Sequence, residues 1–164
     1  MEPIVLFSIQ FTMSLLIYAL IAIWYVAPRI SRLPTALAVT PLLWVHAFRI
    51  VGGTILALGA VDAAVPADFR VMIGYGDMIT GALALLALLA LRARIPGALV
   101  LVWIFLLVGT TDTVNAIVQS TRDRVFNYPL GINWVIVTAY VPALIVSSVL
   151  ILVYLVRPRK IAPS

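Results

Sequence analysis

The stretch MIGYGDMITGALALLALLAL, Met72–Leu91, decides the fold. Its second half contains only alanine and leucine, while its first half places Asp77 among Gly74, Gly76 and Gly81. About 20 predominantly apolar residues, rising ~1.5 Å each, cover the hydrocarbon of a bilayer. The stretch therefore predicts a membrane-crossing helix that carries an acid within its outer part. An acid in that place needs a partner, because an ionised side chain at a helix centre costs about 2.5–3.5 kcal/mol on insertion scales.

The rest of the chain agrees with a lipid solvent. Hydrophobic residues make up 64% of 164 residues and charged residues 10%, with a mean hydropathy of +1.17. No water-soluble domain hides that much apolar surface. Four further apolar runs join the first, giving spans of Ile4–Val26, Thr35–Ala60, Val71–Leu91, Gly97–Gln119 and Asn133–Val156. The expected fold is all-α, a single integral membrane domain over 1–164 built as a bundle of five transmembrane helices. Prolines and glycines punctuate it: helix one stops at Ala27-Pro28, and Pro34, Pro66, Pro96 and Pro129 with Gly131 precede the next four. The first run lacks a basic flank and a small-residue cleavage site, so it is expected to be a retained helix rather than a signal peptide.

Charge sets the expected orientation. Arg29, Arg32, Arg92, Arg94, Arg157, Arg159 and Lys160 fall on one side, and Arg70, Arg122 and Arg124 on the other. The positive-inside bias places the N-terminus outside and the C-terminus in the cytoplasm. The net charge of +5 suits anionic lipid headgroups on the cytoplasmic side and requires no nucleic acid. Trp24, Tyr25, Tyr128, Trp134 and Tyr154 lie near helix ends, as an interfacial aromatic belt would.

Some chemistries are excluded outright. Without cysteine there is no disulfide, thiolate metal site or thiol nucleophile. Lys160 is the single lysine and lies in the tail, so no intramembrane amine can form a Schiff base.

Counting depth at ~1.5 Å per residue brings the remaining polar groups to one level. His46 and Arg49 rise on helix two, Asp77 descends on helix three to roughly 10 Å below the outer boundary, and Asp112 reaches a similar depth on helix four. Gln10 on helix one and Tyr140 on helix five lie at comparable depth. In α-helical register His46, Arg49 and Gly53 share one face, Asp112, Asn115 and Gln119 another, and Gly74, Asp77, Thr80 and Gly81 form a small and polar stripe. Glycines let helices approach closely. Asp77 is accordingly expected to be the counter-ion of Arg49, inside an outer-half pocket lined by Gln10, His46, Arg49, Asp77, Asp112, Asn115 and Tyr140.

One arginine does not neutralise two carboxylates. The spare negative charge calls for a proton, a protonated His46, a bound cation or water. A metal held by His46 and two aspartates would be repelled by Arg49, so no metal is expected. Haem at His46 lacks a spaced second ligand, and the cofactor is left unassigned.

Two resemblances attach to these residues. The segment GYGD, Gly74–Asp77, with Pro142-Ala143-Leu144, resembles the GxGD and PAL motifs of presenilin-type intramembrane aspartyl proteases. That likeness implies Asp77 and Asp112 as a catalytic pair sharing a proton. It spans seven residues and departs from the family's pattern, whose partner aspartate sits upstream in a Tyr-Asp pair, whereas Asp112 is downstream after Thr111. The segment WVHAFRIVGG, Trp44–Gly53, with Gly76-Asp77 and GTTD, Gly109–Asp112, is similar to small uncharacterised bacterial multi-pass membrane proteins. This implies a bacterial inner (plasma) membrane and no activity.

The leading functional expectation is that the pocket binds or passes a proton, a small ion or a small ligand. Its acceptors would be Asp77 and Asp112, with Arg49 as counter-ion and His46 as a titrating group. The competing expectations are an accessory or assembly subunit with a purely structural polar clasp, and the protease. No enzymatic set beyond that aspartate pair emerges. A chain this short is expected to act as a homo-oligomer or beside a partner membrane subunit. The segment STRDRVFNYPLGINW, Ser120–Trp134, is expected to fold as a cap over the polar level.

Overall fold

A computed structural model describes residues 2–157. It contains five helices long and apolar enough to cross a membrane: α1 (Pro3–Ile30), α2 (Thr35–Leu56), α3 (Ala67–Arg92), α4 (Ala98–Arg122) and α5 (Ile132–Val156). Among the described residues there is no strand. Of the basic groups used for orientation, Arg159 and Lys160 lie outside the described residues.

Pro28 does not end α1. The helix takes the proline inside by widening into a π turn over Ala22–Val26 just before it. A proline removes one backbone donor and its ring presses on the carbonyl four residues back, and a wider turn relieves both. The same device recurs in α5, where a π turn over Ile136–Tyr140 precedes Pro142.

The end of α2 departs from α-geometry more strongly. From Phe48 to Leu56 the chain runs for 9 residues as a 3-10 helix, where stretches longer than three or four residues are uncommon. With about three residues per turn, positions i, i+3 and i+6 eclipse. The buried residues of this segment are accordingly Arg49, Gly52 and Ile55. The expectation that Gly53 shares the face of Arg49 is therefore corrected: tightening the helix moves Gly52 onto that face. The helix also stops short of the expected Ala60, because Ala57 turns to extended backbone and Gly59 adopts φ 75°.

Helix α3 lies between α2 and α4, while α5 packs against α2 and carries α1 on its far side. The core divides into two. One cluster, toward the end where α1 joins α2 and α3 joins α4, unites Leu43, Ala84, Val102, Phe105 and Ile151. The other joins Ile55, Val65 and Phe69 to Val125, Phe126 and Leu130 of the α4–α5 connection. That connection is a compact cap, as expected from its sequence. The Asp62 amide donates to the Pro129 carbonyl at 2.9 Å, Asn133 donates to the Ala60 carbonyl at 3.3 Å, and Phe126 stacks on Phe7 of α1 with centroids 3.8 Å apart. The stretch Pro3–Ile21 of α1 buries no residue.

Gly131 closes the cap at φ 54°, ψ −133°, a conformation that L-residues other than glycine rarely adopt. A Cβ there would also stand 2.8 Å from the Ala60 carbonyl oxygen. Gly131→Ala is expected to lower stability by about 1–3 kcal/mol. Hydrogen exchange should quicken across the cap while the cluster around Leu43 and Phe105 stays protected; an unchanged cap would contradict this account of the turn.

Candidate functional site

The site is built around Arg49. Its position in the 3-10 segment aims the side chain between α3 and α4, where only 3% of the residue is exposed. Nε donates to Asp77 Oδ1 at 2.5 Å and Nη2 to Asp112 Oδ2 at 2.5 Å. Nη1 reaches the Thr113 hydroxyl at 2.9 Å and the Gly109 carbonyl at 3.3 Å. Thr113 in turn donates to the Gly109 carbonyl at 2.8 Å. A planar guanidinium offers five N–H donors in a fixed fork, which suits it to hold two carboxylates at once.

Glycines make room for both acids. At Gly52 a Cβ would occupy the space of the Asp77 carboxylate, and at Gly76 that of the Asp112 carboxylate. Each acid thus lies against the bare backbone of a neighbouring helix, α2 for Asp77 and α3 for Asp112. The approach of α2 and α3 continues away from the cap, where a Cβ on Gly81 would stand 3.0 Å from the Ile50 amide nitrogen. Both carboxylates keep side-chain exposures of 16%. Two negative charges against one positive leave the cluster with one negative charge in excess when both acids are ionised.

The seven residues expected to form one pocket do not all meet. Arg49, Asp77 and Asp112 converge. His46 is buried on the side facing α5, with Nε2 2.9 Å from the Ser147 hydroxyl and its ring edge-on to Phe105 at 4.8 Å. Gln10 accepts from the Trp134 indole at 2.7 Å, Tyr140 donates to the Val45 carbonyl, and Asn115 is exposed with Nδ2 3.0 Å from the Met72 sulfur. The reason is geometric: residues at equal depth still point in different directions around each helix. These four make separate links between helices. Thr113, Gly109, Gly52 and Gly76 were not singled out by the sequence as site residues, although the spacing of Gly109 and Thr113, four apart on α4, marks a common helical face.

Outside the clasp, between it and the cap, lies an apolar cavity of about 180 Å³. Phe7 and Phe11 of α1, Ile73 of α3, Ile117 of α4 and Val137 of α5 form walls, and Arg49, Gly52, Asp77 and Thr113 line its polar end. Asp112, His46, Gln10, Asn115 and Tyr140 do not line it. Among the described residues no three side chains of His, Asp or Glu come together as a metal set.

Fold and site together define an all-helical bundle with five helices of membrane-spanning length and a buried arginine clasped by two carboxylates from adjacent helices. The chain belongs to the family described as Domain of unknown function (DUF8737), whose model matches residues 6–156. No curated protein matches the chain, and no solved structure does.

Proposed function

We propose that this chain is a multi-pass protein of the bacterial inner membrane, N-terminus outside and C-terminus cytoplasmic, whose clasp binds or passes a proton, a small cation or a small ligand reaching it from the outer side. The single observation that carries the reading is the unequal charge: the buried Arg49 pairs with Asp77 and Asp112 together. A purely structural clasp needs one acid. The second acid, still partly accessible, gives the site an uncompensated acceptor that a positive species satisfies.

The orientation is supported by Arg29, Arg32, Arg92, Arg94 and Arg157 at one end of the bundle, where Arg157 reaches the Ser31 carbonyl at 3.2 Å. Those groups suit anionic headgroups. The unburied apolar length of α1 fits lipid, a second copy or a partner membrane subunit.

An accessory protein with a structural clasp is the second reading, favoured by the seating of each carboxylate on a glycine. The protease reading is supported least. A shared-proton pair needs its carboxyls in contact, whereas here the Arg49 guanidinium bonds to each of them.

Asp112→Asn separates the first two. It leaves one arginine against one carboxylate, which removes the excess negative charge and keeps most of the hydrogen bonds. In lipid bilayers, infrared difference spectra between acidic and alkaline buffer should show a cluster carboxyl gaining a proton in the wild type, and lose that band in Asp112→Asn while the protein stays folded. An unfolded variant would favour the structural clasp. A wild type with no titrating cluster carboxyl would remove the proton-binding reading.

A further inference from the structure

The cavity between clasp and cap restricts what the site can take. Its other polar wall residues turn their groups away: Ser120 and Thr121 donate to the Ile117 carbonyl at 3.0 and 2.8 Å, and Asn133 to the Ala60 carbonyl. The Thr113 hydroxyl is engaged by Arg49 and Gly109. Asp77 is different. Its Oδ1 holds Arg49 Nε, while its Oδ2 lies over Gly52 and accepts no hydrogen bond among the described residues. Gly52 and Asp77 both line the cavity. Arg49 also lines the cavity, but its donors go to Asp77, Asp112, Thr113 and Gly109. Asp77 Oδ2 is therefore the one charged acceptor left without a partner, among the described residues, at the polar end of a chamber whose remaining walls are mostly apolar.

Size and access add two conditions. A cavity of about 150 Å³ takes up benzene, so one of about 180 Å³ has room for a single ring with a short substituent. Helix α1 leans on α5 and on the cap rather than on α4, and Phe7, Phe11, Ile117 and Thr121 line the cavity from those two helices. Helices α1 and α4 thus border the cavity without packing closely on each other, which leaves a seam between them.

We infer that this cavity is a binding site for a small lipophilic amine of about one ring, which enters from the membrane between α1 and α4 and places its ammonium on Asp77 Oδ2. The inference rests on the functional reading above and narrows its ligand. The excess negative charge of the clasp selects a cationic head over a neutral or anionic one, and the apolar walls select the body. A hydrated inorganic ion would have to shed its water against hydrocarbon, which an alkyl or aryl ammonium does only at its head.

The test uses the full chain in lipid nanodiscs with three fluorinated probes, 4-fluorobenzylamine, 4-fluorobenzyl alcohol and 4-fluorotoluene, followed by fluorine NMR against empty nanodiscs. The amine is expected to bind about tenfold more tightly than the alcohol, as a charge-assisted hydrogen bond would give. Ile117→Trp and Val137→Trp, which fill the chamber from opposite walls, should each abolish binding while the helical circular dichroism stays unchanged. Asp77→Asn should equalise amine and alcohol. Equal binding of all three probes to the wild type, or amine binding that survives both tryptophan variants, would overturn the proposal. Absence of probe binding beside a titrating cluster carboxyl would overturn it too, while leaving the proton-binding reading standing.

Discussion

Arg49→Leu is expected to abolish the folded protein, and neutralising both acids in the same chain to restore it. The substitution leaves Asp77 and Asp112 facing each other's charge without the guanidinium that holds them. Removing one partner of a buried ion pair typically destabilises by about 3–5 kcal/mol, because the abandoned charge stays desolvated. Here two charges are abandoned, so the upper part of that range is expected. The triple variant Arg49→Leu, Asp77→Asn, Asp112→Asn carries no buried charge and should recover folded material in detergent, read as monodisperse elution and helical circular dichroism. Arg49→Lys is expected to recover only part, since an ammonium cannot present the planar fork that spans two carboxylates. If Arg49→Leu alone remains as stable as the wild type, the clasp contributes nothing to the fold.

The second large effect belongs to Gly52→Val. Its Cβ would fall on the Asp77 carboxylate, and the carboxylate cannot retreat without releasing Arg49. Overpacking a tight contact costs about 1–3 kcal/mol, and loss of the ion pair adds to it, so about 3 kcal/mol or more is expected. The two sites are coupled. In an Asp77→Ala background, where the collision is gone and Arg49 retains Asp112, Gly52→Val should do much less damage, giving a strongly non-additive cycle. Gly53→Val meets the flexible Met78 side chain instead and should be tolerated better than Gly52→Val. Equal damage at both glycines would mean that the segment is α-helical and that Gly52 has no special place.

That contrast also marks what sequence reasoning reaches. Hydropathy located the five membrane-length helices, because run length and lipid thickness leave few alternatives. The expense of isolated charge in an apolar bundle is enough to pair Arg49 of one helix with Asp77 and Asp112 of two others. The same reasoning does not reach Gly52. An α-helical period puts Gly53 beside Arg49, and only the 3-10 winding of Phe48–Leu56 moves the face by one residue; no motif in FRIVGGTIL announces it. Gly76 was hidden for a related reason, since its use depends on which side of α3 meets α4. Depth along a helix is legible from residue counts, but direction around it is set by packing. Gln10, His46, Asn115 and Tyr140, which residue counts put at one depth with the clasp, do not line its cavity. Pro28 misled in the opposite sense: it looks like a terminator, yet it is carried within α1 by a preceding π turn, as Pro142 is within α5.

The most direct test of the clasp is a solid-state NMR distance measurement in bilayers, between the nitrogen-15 guanidinium of Arg49 and carbon-13 aspartate carboxyls, with Asp77→Asn and Asp112→Asn assigning the partners. The structure predicts that Nε is dephased by Asp77 and a terminal nitrogen by Asp112, in the same molecule and under the same conditions. A guanidinium dephased by neither carboxyl, or by one alone, would contradict it.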